Sequence, residues 1–313
     1  MEKETNETTY HIPALLKETI EGLNIRPGGV YADATFGGGG HSRAIVNQLD
    51  SEGHLYSFDQ DRDSLVNVIN DPRFTFVLSN FRYIKNFLRF HGEEKIDGII
   101  ADLGVSFHHF DDPSRGFSFR SDAPLDMRMN RNAETTAADI IAGYDTGELT
   151  AMFRRYTDLK RPHEVARLIA SAREKSPILT TFQLVEAVRP AVNQRNEKKD
   201  LAQIFQAIRI EVNHEMDALR QFLESTLEVL RPGGRLCVLT YHSVEDRMVK
   251  NFMKTGNVEG IEEKDFFGRV STSWKQITRS PLTAGADEVE RNPRSRSAKL
   301  RIAELLIPDK DSK

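Results

Sequence analysis

Four consecutive glycines, at positions 37–40, are the strongest sign of a binding site in this sequence. They follow a short β-prone run at residues 30–34, which contains the acidic Asp33. Glycine has no Cβ, so the backbone of such a turn can take positive φ and lie close to a bound molecule. A strand, a glycine turn and a helix in this order form the first corner of a Rossmann-like nucleotide site. The order therefore predicts a nucleotide-type ligand at the glycines.

The residues around this turn select among nucleotide ligands. No Gly-Lys-Ser/Thr follows the glycines, which argues against a phosphate-binding P-loop. The dinucleotide pattern G-x-G-x-x-G fits poorly, because the sixth position counted from Gly37 is Ser42. The carboxylate of Asp33 would repel a pyrophosphate but suits a cation without phosphates. S-adenosylmethionine is such a ligand, and Asp33 is therefore a predicted cofactor-binding residue.

Two more acidic residues stand at the ends of predicted strands. Asp59 ends the second strand and lies 19 residues beyond Gly40, close to the spacing of about 20 at which an acidic side chain holds a ribose. Asp102 ends the fourth strand. Ligands of open α/β sheets bind beyond the carboxyl ends of the strands. We therefore expect both carboxylates to converge with that of Asp33 on one crevice.

The elements that must position these residues form an α/β pattern interrupted by a long helical stretch. Apolar β-prone runs predict strands at residues 30–34, 54–59, 74–78, 96–102, 235–241 and 300–306. Between the fourth and fifth strands, the apolar spacing and the prolines predict helices only. We therefore predict an α/β, Rossmann-like fold in which residues 1–110 and 214–313 form one discontinuous domain. Residues 111–213 would be an inserted all-helical domain that recognises the substrate.

The composition describes a soluble globular protein of one large or two modest domains, with 313 residues, 39% hydrophobic and 29% charged. The formal net charge is -4, so any contact with nucleic acid must come from a local basic patch. The single cysteine, Cys237, excludes an internal disulfide and fits a reducing cytosol. Residues 1–9 are polar, and no run reaches the roughly 18 apolar residues of a membrane span. We expect a cytoplasmic protein with no membrane partner.

Local basic patches occur in two places. Arg115-Gly-Phe-Ser-Phe-Arg120 interleaves arginine with phenylalanine, a pattern that suits stacked bases and phosphates but also a loop locked by its own Arg–Asp pairs. Near the end of the chain, Arg291-Asn-Pro-Arg-Ser-Arg-Ser combines arginine and serine, which match phosphate oxygens. The predicted nucleic-acid contacts are Arg115, Arg291, Arg294 and Arg296.

The chain also carries several long and peculiar strings. They are His11-Ile-Pro-Ala-Leu-Leu, Asp33-Ala-Thr-Phe-Gly-Gly-Gly-Gly-His-Ser, Asp102-Leu-Gly-Val-Ser, Arg115-Gly-Phe-Ser-Phe, Pro124-Leu-Asp-Met-Arg-Met, Phe205-Gln-Ala-Ile-Arg-Ile-Glu-Val-Asn, His242-Ser-Val-Glu-Asp-Arg and Asn292-Pro-Arg-Ser-Arg-Ser-Ala. Over nearly its whole length the chain thereby resembles the MraW (RsmH) family of bacterial 16S rRNA cytosine-N4 methyltransferases. The resemblance implies a class I methyltransferase fold with a helical insertion. It also implies S-adenosylmethionine as cofactor and a cytidine in the decoding region of small-subunit 16S rRNA as substrate.

The resemblance further implies a set of cofactor contacts. Carried over by position, they are Gly39, Gly40, His41, Asp59, Phe81 and Asp102. The family usually has Ser-Ser-Pro-Gln after its Gly-Val, whereas this chain reads Ser106-Phe-His-His109. His109 therefore replaces a glutamine that contacts the cofactor. Imidazole is shorter but can still donate one hydrogen bond, so His109 is included among the predicted contacts.

The predicted chemistry needs no covalent intermediate. Methylation at C5 of a pyrimidine requires a cysteine nucleophile, and Cys237 lies in mid-strand among apolar neighbours. Methylation at N4 instead needs acceptors for the amine hydrogens, and Asp102 and His242 stand where the fourth and fifth strands end. We predict that Asp102 orients the amine and that His242 takes the proton. Glu245 or Asp246 is the alternative acceptor, and a capping role is the competing interpretation of His242.

Two other functions compete with methylation. A non-catalytic RNA-binding protein that senses a nucleotide would keep the glycine turn but would not need polar groups at several strand ends. A nicotinamide-dependent oxidoreductase is disfavoured by the glycine spacing and by Asp33. No metal site is expected, because the sequence has no CxxC motif and no histidine pair at i,i+4 spacing. A homodimer is left open.

Overall fold

The computed structural model describes residues 13–104, 112–264, 268 and 272–306, apart from the side chain of Arg294. The chain divides into two compact units. The first unit consists of Met1–Gly104 and Ala218–Lys313, and the second is Val105–Asp217. The helices in the described ranges are α1 (Leu16–Leu23), α2 (Gly40–Val46), α3 (Ile84–Phe90), α4 (Ala137–Gly143), α5 (Thr146–Tyr156), α6 (Pro162–Arg173), α7 (Thr181–Val188), α8 (Glu197–Val212), α9 (Glu215–Val229), α10 (Ser243–Thr255) and α11 (Ala286–Arg291).

The first unit is built on an eight-stranded sheet. Its strands are β1 (Val30–Asp33), β2 (His54–Asp59), β3 (Phe74–Leu78), β4 (Ile96–Asp102), β5 (Leu230–Thr240), β6 (Trp274–Gln276), β7 (Leu282–Thr283) and β8 (Lys299–Leu305). The order is β3-β2-β1-β4-β5-β8-β6, with β7 paired to β8. Strands β1 to β5 run parallel, and β8 is antiparallel to β5. The predicted α/β fold of the Rossmann-like class I type is thus confirmed.

Burial on the inner strands explains why the sequence signal for this sheet is strong. Parallel strands that are covered on their faces form nearly continuous apolar runs. In β4, Ile96, Ile99 and Ile100 are fully buried, and in β5 so is Cys237. Burying each such side chain contributes about 1.5–3 kcal/mol. Burial of these strands therefore fixes where they end, and the polar residues of the predicted site lie at those ends.

The bounds of the strands differ from the sequence prediction mainly at the C-terminal part of the sheet. The strands predicted at 54–59, 74–78 and 96–102 are found at those bounds. Strand β5 begins at Leu230, because Leu230 already pairs with Ile96; the register then shifts between Ile96 and Gly98, where Gly233 has a φ of 82°. The short strands β6 and β7 were missed, since runs of three and two residues carry no detectable alternation. Helix α10, directly after β5, was missed as well.

The second unit is helical, and local capping explains where three of its helices begin. Thr136, Asp145 and Thr180 are N-caps of α4, α5 and α7, and each forms a capping box with the residue three positions on. An N-cap of this kind stabilises a helix by about 1 kcal/mol. Within the unit, Asn213 fastens the loop that precedes α4: its Oδ1 accepts from the amide of Met129 at 2.7 Å. Helix caps and one partly buried side-chain amide thus contribute to the order of this unit.

Candidate active site at the carboxyl ends of the strands

The glycine turn joins β1 to α2 and adopts a conformation that requires glycine. Gly37 and Gly39 have φ of 51° and 74°. A Cβ on Gly39 would lie 2.9 Å from the ring of Phe36, so a side chain there would clash as well as strain the backbone. A Cβ on Gly38 would meet no atom within 4 Å. The backbone at Gly38 is therefore open to a ligand.

Three side chains hold this turn in place. The amide of Gly37 donates to Asp59 Oδ2 at 2.8 Å, and its carbonyl accepts from Asn67 Nδ2 at 3.1 Å. Arg43 donates from Nη1 to the Gly38 carbonyl at 2.7 Å and from Nη2 to the Asn67 carbonyl at 2.8 Å. Backbone groups of both glycines are thus bonded to side chains from β2, α2 and the short 3-10 helix Arg62–Asn67. The turn is preorganised.

Asp33 lies inside the turn. It is 1% exposed, and its Oδ1 accepts from the Thr35 amide at 3.0 Å. Its Oδ2 accepts from Ser42 Oγ at 2.6 Å, and Ser42 Oγ also lies 2.8 Å from Ser57 Oγ. Burial raises the pKa of Asp33 to about 6, although these hydrogen bonds oppose the shift. A buried carboxyl bonded to its own turn braces that turn from within, and a direct contact of Asp33 with the cofactor stays a prediction.

Asp59 stands at the end of β2 with part of its acceptor capacity in use. Oδ1 accepts from the Asp61 amide at 2.9 Å, and Oδ2 from the Gly37 amide. Burial raises the pKa of Asp59 to about 6; the two backbone hydrogen bonds oppose the rise, and the charges of Asp61 and Asp33 add to it. Each carboxylate oxygen has two lone pairs, so further donors can still be accepted.

Asp102, at the end of β4, is connected to the turn and to the strand beside it. Its amide donates to Thr35 Oγ1 at 2.6 Å, and Thr35 in turn bonds Asp33. Its Oδ1 accepts from the Tyr241 hydroxyl at 2.6 Å. Burial raises the pKa of Asp102 to about 7; the Tyr241 hydrogen bond lowers it, and the charges of Asp33 and Glu245 raise it. A carboxyl with this pKa can gain or release a proton near neutrality.

His41, in the first turn of α2, is 5% exposed. Burial lowers its pKa to about 4, against the effect of the Ala14 carbonyl, so the imidazole is neutral at pH 7. Its Nδ1 lies 3.8 Å from Asp102 Oδ2. Its Nε2 is buried and has no hydrogen-bond partner among the described residues. A buried polar atom without a partner is costly, and it fits a site that is completed by a ligand.

The structure brings the glycine turn, His41 and the three strand-end carboxyls together, but other predicted cofactor residues lie apart from these contacts. Phe81 begins the short 3-10 helix Phe81–Tyr83 after β3, is partly exposed and packs edge-on against Phe222 with ring centroids 5.2 Å apart. Its stacking on an adenine stays a prediction. His109 lies outside the described residues.

His242 is the N-cap of α10. Its Nδ1 accepts from the Glu245 amide at 3.4 Å, and its Nε2 lies 2.8 Å from Glu245 Oε1, close enough for an ion pair although not aligned for a hydrogen bond. Glu245 Oε2 accepts hydrogen bonds from the amides of Tyr241 and His242. The capping box engages Nδ1 and matches the competing interpretation of His242 as an N-cap, whereas its role as proton acceptor stays a prediction.

The predicted nucleic-acid contacts fall into two groups. Arg115 is 4% exposed, and its Nη2 donates to the carbonyls of Arg128 and Met129 at 2.8 and 3.1 Å. The structure thus places Arg115 as a lock of its own loop, the alternative given for this pattern, and its phosphate contact stays a prediction without support from exposure. Arg291 and Arg296 are exposed near the start of β8, whereas the side chain of Arg294 lies outside the described part of the chain.

Several residues of this site were missed in the sequence. Tyr241, Thr35, Arg43 and Asn67 all contact the predicted residues, yet none belongs to a nucleotide-binding pattern. Tyr241 could have been found, because it is the last residue of the strand predicted at 235–241 and directly precedes His242. Cys237 is fully buried, and burial raises the pKa of its thiol to about 12, so it is not a nucleophile.

In the ranges 13–104, 112–264 and 272–306, helices of membrane-spanning length and hydropathy are absent.

Known proteins are similar to this chain over nearly its whole length. The MraW methylase family matches residues 8–306. A protein of Phocaeicola vulgatus named ribosomal RNA small subunit methyltransferase H is 57% identical over 295 residues, which cover 94% of this chain and 97% of that protein. The protein of the same name from Parabacteroides distasonis is 57% identical over 304 residues, 97% of this chain and 100% of the relative. Among solved structures, an rRNA methylase from Streptococcus thermophilus aligns with a TM-score of 0.39 at 12% identity, covering 93% of this chain and 94% of that one.

Proposed function

The chain belongs to the MraW methylase family, and from that premise we propose that it methylates N4 of a cytidine in the decoding region of small-subunit 16S rRNA. It is an S-adenosylmethionine-dependent methyltransferase. The observation that carries the proposed chemistry is the position of Asp102 at the end of β4: its backbone amide donates to Thr35 Oγ1 beside the glycine turn, and burial raises the pKa of its carboxyl to about 7. A ribosomal substrate places the activity in the cytoplasm, as the sequence predicts. A homodimer stays a prediction.

The residues present suit the cofactor. The open backbone at Gly38, the unpartnered Nε2 of His41 and the remaining acceptor capacity of Asp59 are groups that a nucleoside with an amino acid chain can use. Gly39 and Gly40 would let it approach closely, and Asp59 would accept from its ribose hydroxyls. When bound, S-adenosylmethionine supplies a methyl group from its sulfonium and keeps the electron pair of the broken C–S bond.

The chain's own part in the reaction is to orient the amine and remove one proton from it. The lone pair of the cytosine amine is delocalised into the ring, so an acceptor on an N–H localises it towards the incoming methyl group. The amine becomes acidic only as the N–C bond forms, so a weak base suffices. We assign both roles to Asp102: its free oxygen accepts the N–H and then the proton. His242 positions the start of α10 and does not touch the proton.

Two basic regions support an RNA substrate. In the first unit, Arg291 and Arg296 are exposed, and with Arg294 they would contact phosphates and position the strand without reading its sequence. In the helical unit, a cavity of about 350 Å³ is lined by Lys160, Arg161 and Lys199, together with Asp158 and Asp200. Three basic side chains against two acidic ones leave this cavity with one net positive charge, which is compatible with the substrate-recognition role proposed for the helices.

The proposal is tested by single-turnover methylation of small ribosomal subunits, with the product mapped by mass spectrometry. The wild-type protein should add one methyl group to N4 of a decoding-region cytidine. Asp102→Asn should lose at least about 10²-fold in rate, because the amide cannot accept a proton. His242→Asn keeps a good N-cap and should stay within a few fold of the wild type. A methyl group on carbon, or a fully active Asp102→Asn, would contradict the proposal.

The competing functions are separated by binding measurements. Calorimetry should show binding of S-adenosylmethionine and none of NAD, since the glycine turn lacks the dinucleotide spacing. A protein that binds S-adenosylmethionine and RNA tightly but transfers no methyl group to either naked rRNA or subunits would be the non-catalytic sensor. Methylated product in either substrate excludes that alternative.

A further inference from the structure

The side chain of Tyr241 reaches across the sheet from β5 to β4. Asp102 pairs in the sheet with Leu239, so Tyr241 follows two residues after the partner of Asp102. Its hydroxyl donates to Asp102 Oδ1 at 2.6 Å, a distance typical of a charge-assisted O–H···O bond. Its ring lies against Gly104, where a Cβ would come within 3.1 Å of Cδ2. Contact with Gly104 therefore fixes the position of the Tyr241 ring beside the Asp102 carboxyl.

The backbone of Tyr241 is fixed by the first turn of α10. Its amide donates to Glu245 Oε2 at 3.1 Å, and Glu245 is 2% exposed. The capping box of α10 thus holds the residue from which the hydroxyl extends. The hydroxyl bonds Oδ1 of Asp102, while Oδ2 lies 3.8 Å from His41 Nδ1, beyond hydrogen-bond distance. Tyr241 thus holds Oδ1 of Asp102, and Oδ2 can accept a hydrogen bond from the substrate.

The charged groups around Asp102 make the hydrogen bond from the Tyr241 hydroxyl important for the charge of the Asp102 carboxyl. Among the described residues, Asp33 on β1 and Glu245 on α10 repel the Asp102 carboxylate, and His41 on α2 is neutral. The hydrogen bond from Tyr241 is what opposes burial and this repulsion. Burial raises the pKa of the Tyr241 hydroxyl far above its usual range, and the carboxyls of Asp102, Glu245 and Glu288 add to the rise. The hydroxyl therefore remains a donor at every working pH.

We propose that Tyr241 is a positioning residue for methyl transfer: its hydroxyl holds Oδ1 of Asp102 in the carboxylate form and leaves Oδ2 directed to the amine of the substrate. This inference rests on the role of Asp102 in the proposed function. In the balanced step, the amine lone pair forms the N–CH3 bond and one amine proton moves to Asp102 Oδ2. Tyr241 keeps its own proton throughout and acts only through Asp102.

The first test is a ¹³C-carboxyl NMR titration of Asp102 in the protein without cofactor, so that it does not depend on activity. Tyr241→Phe removes a hydrogen bond to the charged form, so the pKa of Asp102 should rise by about one unit or more. Tyr83→Phe makes the same change at a half-exposed tyrosine of the same unit and should leave the titration unchanged. An unshifted titration in folded Tyr241→Phe would overturn the proposal.

The second test is the pH profile of the single-turnover rate. In Tyr241→Phe the acid limb should move to higher pH by the same amount, with the rate approaching that of the wild type at high pH. Fluorotyrosine at position 241 is a stronger donor and should move the limb to lower pH, which covers the case that Tyr241→Phe folds poorly. A rate lowered equally at all pH values would show a merely structural role. Absence of methylation by the wild type would instead refute the proposed function. The NMR titration would still show whether the Tyr241 hydroxyl lowers the pKa of Asp102.

Discussion

Asp59 Oδ2 accepts a hydrogen bond from the amide of Gly37 at 2.8 Å, so the acidic residue that ends β2 also holds the first glycine of the turn. If Asp59 also accepts from the cofactor, as proposed, one carboxylate both binds the ligand and fastens the turn. Substitution of Asp59 would then remove a ligand contact and loosen the glycines together. Asp33, in contrast, is bonded to Thr35 and Ser42 within the turn.

The first prediction concerns the affinity for S-adenosylmethionine. Asp59→Asn should weaken binding about ten- to a hundredfold, because hydrogen bonds to a charged group are worth about 1.5–3 kcal/mol. Calorimetry at pH 8 measures the loss, and Asp63→Asn is the control that removes a charge from the adjacent short helix. The pKa of Asp59 is about 6, so wild-type affinity should also fall as the pH drops below 6. Equal affinities in both folded variants would remove Asp59 from the site.

The second prediction concerns the stability of the glycine turn. Gly39→Ala places a side chain at a φ of 74°, and its Cβ would lie 2.9 Å from the Phe36 ring. We expect a loss of roughly 1–3 kcal/mol in the free energy of unfolding, measured by urea denaturation. Gly38→Ala, whose Cβ meets no atom within 4 Å, is the matched control and should unfold like the wild type. Similar losses in both variants would disprove this account of the turn.

The third prediction concerns contacts with phosphate. Arg296→Ala should reduce the slope of log affinity for rRNA against log salt concentration by about 0.7–0.9, the value for one lost phosphate contact. Its affinity for S-adenosylmethionine should not change. Arg89→Ala removes an exposed arginine from α3 and serves as the charge-matched control. If both variants gave the same salt slope, Arg296 would have no specific phosphate role.

The fourth prediction concerns a buried ion pair in the same unit. Arg301 is 6% exposed and donates to Asp246 from Nε at 2.7 Å and from Nη2 at 3.2 Å. Asp246→Asn leaves the guanidinium buried without its counter-charge, which should lower the free energy of unfolding by about 3 kcal/mol. Denaturant melts at pH 7 measure this. Glu262→Gln breaks the exposed pair with Lys254 and should change stability little.

The pH dependence of this pair follows from the sign of the pKa shift. Burial would raise the pKa of Asp246, but the hydrogen bond and charge of Arg301 and the charge of Lys299 together lower it. The folded pKa is below the unfolded value, so the pair stabilises above the unfolded pKa of about 4. Its contribution is lost as the pH falls through the folded pKa. The difference between the wild type and Asp246→Asn should therefore shrink below pH 4, and a constant difference would contradict the pairing.

The fifth prediction concerns Cys237. Cys237→Ala should retain the full single-turnover rate, because the fully buried thiol, with its pKa raised to about 12, cannot form a covalent adduct with the base. Loss of the packed sulfur should lower stability by about 1 kcal/mol. Rate and thermal midpoint are measured on the same preparation. A large loss of rate at unchanged stability would point to a covalent mechanism.

The sequence by itself determined the sheet and the turn. Buried parallel strands are continuous apolar runs, and an interruption by four glycines has few explanations other than a ligand, so β2, β3, β4 and the turn could be located by residue number. Asp59 and Asp102 were found for the same reason, since the carboxyl ends of parallel strands meet at one edge. These patterns are local, so they can be recognised in a single sequence.

Only the tertiary structure decided what each polar side chain does. Asp33 braces the turn, Arg115 bonds within its own loop and His242 caps α10, because the folded backbone path of each segment and its burial decide which nearby groups each side chain meets. Tyr241 and Asp102 are 139 positions apart, and only the pairing of β4 with β5 brings them within 2.6 Å. Residue type sets what a side chain can do, and its neighbours in space determine which of those roles is used.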